Sequence, residues 1–250
     1  MADLVPILLS SALQKAGFAH GFSTRAGGVS EPPYETLDFA LLREPSRLEE
    51  NQRRLGEAVG FPRERLFQTR QVHGRALVVA AGDPKAFLEI DADALVAEPG
   101  SGAAVAVRVA DCVPVLLADP STGRVAAAHA GWRGVVAGVV GVALDALGRQ
   151  QRVVAAIGPC IGACCFEVGA DVAAQIARAS TEEAIRSRDE RGKAMVDLRR
   201  AVRAQLSAGG LADADVDDVG GCTRCDAKRF YSYRRDGDAS GRLVGVIVAR

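Results

Sequence analysis

The stretch VAVRVADCVPVLLADPSTGRVAAAHAGWRG, Val105 to Gly134, decides how this chain is read. Two apolar runs flank a turn, Asp119-Pro120-Ser121-Thr122-Gly123. The first, Val105 to Ala110, runs into Asp111-Cys112. The second, Val125 to Ala128, runs into His129, followed by Gly131-Trp132-Arg133-Gly134. Short apolar runs rich in β-branched residues and bounded by turn residues predict buried strands. A thiol and an imidazole are thereby expected at neighbouring strand ends, the edge where open α/β sheets bind ligands.

Upstream, His20 to Gly28 reads as a short strand feeding a glycine loop with Arg25 at its mouth. Successive N–H groups and a guanidinium make either an anion seat or a plain surface turn. Ser46-Arg47-Leu48-Glu49 has the form of a capping box, and the helix behind it is expected over Arg47 to Val59, stopping at Gly60. Gln71-Val72-His73-Gly74 precedes a strand over Ala76 to Ala80. A lone His there reads first as a hydrogen-bonded turn residue. Asp91 and Asp93 point the same way if extended, as acceptors behind a site or as turn acids.

Downstream, Val135 to Leu147 predicts a helix closed by Gly148. Its first turn follows Gly131 to Gly134, the strand-to-helix order that aims free N–H groups at an anion. Val153 to Ile157 predicts a strand and Gly169 to Ala179 a helix. The polar run Ser180 to Lys193 reads as solvated helix or loop. Leu198, Val202 and Leu206 recur every four residues, so Asp197 to Ser207 is an amphipathic helix capped by Asp197. The end reads as a hairpin, Phe230 to Arg234 and Leu243 to Val248 around Asp236-Gly237. No repeat or interdomain linker is visible in residues 1–250, a length that fits one large domain or two small ones.

The 250 residues carry 31 basic and 31 acidic side chains, a formal net charge of zero. That balance argues against a bulk nucleic-acid or anionic-membrane binder. Met1-Ala2-Asp3-Leu4 carries an acid where a signal peptide carries positive charge, and no run is long enough to span a membrane, so the cytoplasm is the expected location. Six cysteines stand at 112, 160, 164, 165, 222 and 225. In a reducing compartment they suggest thiols, catalysis or metal rather than disulfides. Cys222-Thr223-Arg224-Cys225 is a single CxxC; a zinc ribbon wants a second such pair, and none is visible.

His73, Cys112 and His129 together suit a borderline-soft, redox-inert cation. Three protein ligands and a free fourth position are the pattern of catalytic zinc, which supplies hydroxide at neutral pH. Asp111 would orient a histidine or carry a proton. The same atoms also make a nucleophile–base pair, Cys112 with a histidine. Spacing does not choose between these chemistries, nor does it bring His73 to the other two.

Seven segments occur in an order that resembles a known family. They are His20 to Ser30, Gln71 to Gly74, Asp91 to Val96, Ala110 to Val115, His129 to Gly134, Gly158 to Gly162 and Phe230 to Gly237. Together, covering nearly everything from His20 onward, they resemble the laccase-domain family, once labelled multicopper polyphenol oxidases and in part called peptidoglycan editing factors. The resemblance implies that residues 1–250 form a single α/β domain with a mixed central sheet flanked by helices, of the cytotoxic-necrotizing-factor-like cysteine hydrolase type. It implies a metal, usually zinc, on His73, Cys112 and His129, with copper the weaker choice. The implied activity is phosphorolysis of adenosine, inosine, guanosine and methylthioadenosine to base and pentose 1-phosphate, with deamination of adenosine to inosine. The implied partners are therefore purine nucleosides and phosphate, with Cys112, Asp111 and His129 catalytic. Arg25 or Arg133 would seat phosphate, and Cys160 would line the pocket.

One segment departs from the family pattern. Glu35 to Glu44 lacks the usual Ser-Leu-Asn-Leu-Gly and the Gly-Asp-Asp that follows, and Asp38 stands where Asn is usual. Three competing readings remain. A multicopper oxidase needs several histidine-rich copper sites, which three histidines cannot furnish. A cysteine hydrolase acting on an amide or a peptidoglycan-related substrate would use Cys112 as nucleophile. A binding protein would hold its metal structurally.

Overall fold

The computed structural model describes residues 5–42, 44–148 and 152–250. The readings of Met1 to Leu4 and of Arg43 lie outside the described residues. In chain order the strands are β1 (Ile7–Leu8), β2 (His20–Ser23), β3 (Leu66–Phe67), β4 (Leu77–Val79), β5 (Ala94–Ala97), β6 (Ala104–Val109) and β7 (Val113–Ala118). There follow β8 (Val125–Ala130), β9 (Val154–Ile157), β10 (Glu167–Gly169), β11 (Ile185–Arg188), β12 (Lys193–Val196), β13 (Val216–Asp218) and β14 (Leu243–Val248). The helices are α1 (Ser11–Lys15), α2 (Pro45–Val59), α3 (Pro84–Phe87), α4 (Trp132–Ala137), α5 (Val139–Asp145), α6 (Ala170–Ala179), α7 (Leu198–Ala208) and α8 (Tyr233–Asp236).

The expected α/β class holds, but the single central sheet is two stacked mixed sheets. One has the order β1-β2-β14-β6-β3, the other β13-β9-β7-β8-β5-β4, and β10-β12-β11 forms a small third sheet. Strand periodicity shows how they stack. In β6, Val105 and Val107 belong to the core between the two sheets, whereas Ala104 and Ala106 face the outer cluster that packs on Leu48 and Leu55 of α2. In β7, Leu116 points into the inter-sheet core while Val113, Val115 and Leu117 face the cluster under α4 to α7. The order of layers is helix, sheet, sheet, helices. Each fully buried Leu or Val in these clusters contributes about 1.5–3 kcal/mol.

The opening stretch thus contains three strands, not two. β6 lies in the first sheet, β7 and β8 in the second, and Asp111-Cys112 is the crossing between sheets. The antiparallel register of β7 and β8 sets Val113 opposite Ala130 and Pro114 opposite His129. Cys112 therefore emerges beside the end of β8.

Several local expectations are corrected. Glu44, not Ser46, caps α2: its carboxylate accepts from the backbone N–H groups of Ser46 and Arg47, and Pro45 starts the helix. The helix expected over Val135 to Leu147 is broken into α4 and α5 at Gly138, whose φ of 85° is left-handed. Ser180 to Lys193 is not a solvated helix or free loop; it holds β11 and leads into β12. Its charged residues face solvent while Ala184, Ala194 and Val196 are buried, so the charges hid the alternation. The C-terminal hairpin does not form. Tyr233–Asp236 is a helical turn capped by the Ser232 hydroxyl, and β14 pairs instead with β2 and β6 in the middle of its sheet. Strand pairing with distant partners leaves no local signal.

Candidate active site

The inter-sheet seam ends in an open cavity of about 540 Å³, within the usual range for small-molecule sites. His73, Cys112 and His129 stand in its wall, with one ligand atom from each inside a 4.8 Å span. The chain brings them together through a buried carboxylate. Asp93, just before β5, is fully buried. Its Oδ2 accepts from the N–H groups of Val72 (3.1 Å) and Gly74 (2.7 Å), and its Oδ1 from that of His73 (2.9 Å). Those bonds hold His73 in a left-handed backbone conformation, φ 61°, which costs free energy in a residue with a Cβ. The same Oδ1 accepts from His129 Nδ1 at 2.7 Å, so His129 turns Nε2 towards the thiol and the cavity. The two imidazoles meet edge to face, centroids 4.8 Å apart.

Gly131 closes the arrangement. A Cβ there would lie 2.9 Å from Cys112 Sγ and 2.9 Å from His73 Cδ2, closer than carbon atoms pack. Asp111 is also left-handed, φ 89°. Its carboxylate accepts from the Thr223 hydroxyl (2.5 Å) and the Arg234 N–H (2.6 Å). Asp91, by contrast, turns outward to Arg70.

Charges couple tightly here. Burial disfavours the Cys112 thiolate, but His129 and His73 more than offset this and bring the thiol down to about 6. Burial likewise opposes charge on His129, yet the thiolate and Asp93 raise it to about 9. Each group thus favours the charged form of the other, the imidazolium the thiolate and the thiolate the imidazolium. Two imidazole nitrogens and one thiolate, facing a cavity, are a donor set that fits zinc with an open position.

The cavity is ringed by arginines: Arg108, Arg133, Arg234 and Arg242. Arg108 rises from β6. Its Nη2 donates to Thr69 O (2.7 Å), while Nη1 is buried without a hydrogen-bond partner among the described residues. Burial, then the nearby Arg242, lowers its pKa to about 10. Gln71 bonds the Arg108 backbone at both its N–H (2.8 Å) and its carbonyl (2.7 Å), tying the His73 loop to the strand that carries Arg108. Phe166, Trp132 and Tyr233 supply aromatic walls.

Of the residues singled out in the sequence, His73, Asp111, Cys112, His129 and Arg133 meet at this cavity. Arg25 and Cys160 do not line it. The Arg25 guanidinium donates to Glu35 O and Ala227 O and lies over the Tyr231 ring, 4.7 Å from its centroid. Cys160 is fully buried, and burial pushes its thiol up to about 12, so it packs as a small apolar side chain. Asp38, at the departure from the family pattern, accepts from Arg242 N–H at 2.6 Å and so reaches the cavity indirectly. His20, the third histidine, is buried and bonded to Ser10 N–H and Phe18 O. Arg108 escaped the sequence reading, although a single charge inside an apolar strand was a visible signal.

A second cluster was also missed. Cys164, Cys165, Cys222 and Cys225 bring their sulfurs within 4.8 Å of one another. The partner for the CxxC is an adjacent cysteine pair, not a second CxxC.

Residues 19–250 match a family model described as multi-copper polyphenol oxidoreductase laccase. A protein named purine nucleoside phosphorylase from Deinococcus radiodurans is 41% identical over 235 residues, 91% of this chain and 88% of its own length. Another of that name from Pseudomonas aeruginosa is 40% identical over 230 residues, 90% of each. The crystal structure of YlmD from Geobacillus stearothermophilus is similar at a TM-score of 0.85 and 31% identity, over 94% of this chain and 93% of that one.

Proposed function

The chain belongs to the multi-copper polyphenol oxidoreductase laccase family, and on that premise we propose that it is a zinc-dependent purine nucleoside phosphorylase that also deaminates adenosine. Its substrates on this reading are adenosine, inosine, guanosine and methylthioadenosine with inorganic phosphate. The relatives' names support the reaction class. The observation that carries the reading is Arg108: a buried guanidinium with an unpaired Nη1, in the same cavity as His73, Cys112 and His129. Such a group asks for an anion, and phosphate accepts the planar guanidinium fork. Arg242 and Arg133 complete the seat. Phe166, Tyr233 and Trp132 flank the flat purine.

His73, Cys112 and His129 would hold the zinc, which would supply the Lewis-acid chemistry that hydrolytic deamination requires. Asp93 sets the His129 tautomer. Asp111, held by Thr223 and Arg234, presents its remaining lone pairs to the cavity as a proton carrier. Phosphate attacks the anomeric carbon as the glycosidic bond breaks, and the leaving base takes up a proton. The family model's description does not extend to multicopper chemistry in this chain. Among its three histidines His20 is tied into the core, leaving two imidazoles at the site.

A second reading has its own support. Cys112, His129 and Asp93 stand in line as nucleophile, base and orienting acid, the arrangement of a cysteine hydrolase, and a fold of that hydrolase type is part of the proposal. Incubation with each nucleoside, with and without phosphate, separates the two. Phosphate-dependent release of free base by zinc-loaded protein is expected. Arg108→Met should raise the KM for phosphate by at least about 10-fold, while Arg25→Met leaves it within about 2-fold. No base release from any of the four nucleosides, or labelling of Cys112 by a substrate analogue in active metal-free enzyme, would overturn the phosphorylase reading.

A further inference from the structure

We propose that Cys164, Cys165, Cys222 and Cys225 bind a second zinc ion in a closed, structural site that fastens the loop after β9 to the loop after β13. The four sulfurs come from two separated segments, yet all lie within 4.8 Å of one another. Cys164 Sγ is 3.6 Å from both Cys222 Sγ and Cys225 Sγ, and Cys165 Sγ is 3.3 Å from Cys225 Sγ. Zinc–sulfur bonds of about 2.3 Å in a tetrahedron set the sulfurs about 3.8 Å apart. A disulfide needs about 2.05 Å, and all four cysteines are free.

The surroundings suit bound thiolates. Gly162 N–H donates to Cys222 Sγ at 3.2 Å, and Arg224 Nη1 to Cys165 Sγ at 3.5 Å. A Cβ on Gly162 would sit 3.2 Å from Cys164 Sγ and 3.3 Å from Cys222 Sγ, so glycine lets the loop approach the sulfurs without displacing them by a few tenths of an ångström. Binding exchanges the four thiol protons for one divalent ion. Four protein ligands leave no open position, so the ion holds structure and does no chemistry.

The site has a mechanical consequence for the cavity. Cys165 precedes Phe166, a cavity wall, and its carbonyl accepts from Arg234 Nη1 at 3.5 Å. Thr223, inside the CxxC, donates to Asp111. Pinning the two loops therefore holds Phe166, Arg234 and Asp111 in place from behind.

The purified full chain should carry about two zinc ions by elemental analysis. Cys164→Ser/Cys225→Ser should lose one and keep the other, and His73→Ala should show the converse. Exchange of backbone amides over residues 158–169 and 219–235 should rise at least about 10-fold in the double variant. Zinc X-ray absorption on wild-type protein is independent of how the variants fold. Averaged over one four-sulfur and one single-sulfur site, it should give about 2.5 sulfurs per zinc. Unchanged metal content in the folded double variant, about one sulfur per zinc in the wild type, or an intact mass showing disulfides among these cysteines would overturn the proposal.

Discussion

Replacing Asp93 by Asn keeps the side chain's shape and removes its charge. The carboxylate accepts four hydrogen bonds, two at each oxygen: Val72 and Gly74 N–H at Oδ2, His73 N–H and His129 Nδ1 at Oδ1. An amide offers one acceptor atom and one donor atom. With its nitrogen at the δ2 position, two backbone N–H groups face a donor. With its nitrogen at δ1, His73 N–H is stranded and His129 Nδ1 must become an acceptor, which moves the ring proton to Nε2 and blocks that atom as a ligand. Either way two bonds to a buried charged acceptor are lost, each worth about 1.5–3 kcal/mol. Relief of burying the charge offsets part of this, so the expected loss is about 3 kcal/mol in urea unfolding. Zinc affinity at His73, Cys112 and His129 should fall about 10–100-fold, the usual cost of losing an orienting acceptor. It should be read by chelator competition in a Cys164→Ser/Cys225→Ser background, where only this site contributes. A variant within about 0.5 kcal/mol of wild type and with unchanged affinity would refute the idea that one carboxylate assembles the site.

Gly131→Ala drives a methyl group to 2.9 Å from Cys112 Sγ and His73 Cδ2. The strain should cost about 1–3 kcal/mol and lower zinc occupancy of this site in elemental analysis, while the four-cysteine site keeps its ion. The pH behaviour of Cys112 follows from its lowered pKa. In metal-stripped protein its thiolate is present above about pH 6 and lost below it, so alkylation mapped to Cys112 should reach its plateau near neutrality. His129→Ala removes the largest opposite charge and should move that rise back up by more than one pH unit. An unshifted profile would show that His129 does not stabilise the thiolate.

Periodicity and turn chemistry made much of this molecule legible. The runs at Val105, Val125 and Val153 are buried strands, Leu198 to Ala208 is an amphipathic helix, and His73, Cys112 and His129 stand out as the soft donors. Those signals are local, set by burial on one face and by side-chain type. What only tertiary structure decided is how distant segments meet. Pairing of β14 with β2 and β6, the crossing of the chain between sheets at Asp111-Cys112, and the buried acceptor Asp93 behind two histidines all depend on contacts across tens to hundreds of positions. So do the unpaired Arg108 Nη1 and the meeting of Cys164-Cys165 with Cys222 and Cys225. A sequence states which groups a chain owns. Their desolvation, pairing and pKa are properties of the packed interior, where each group's partner is whatever the fold places within a few ångströms.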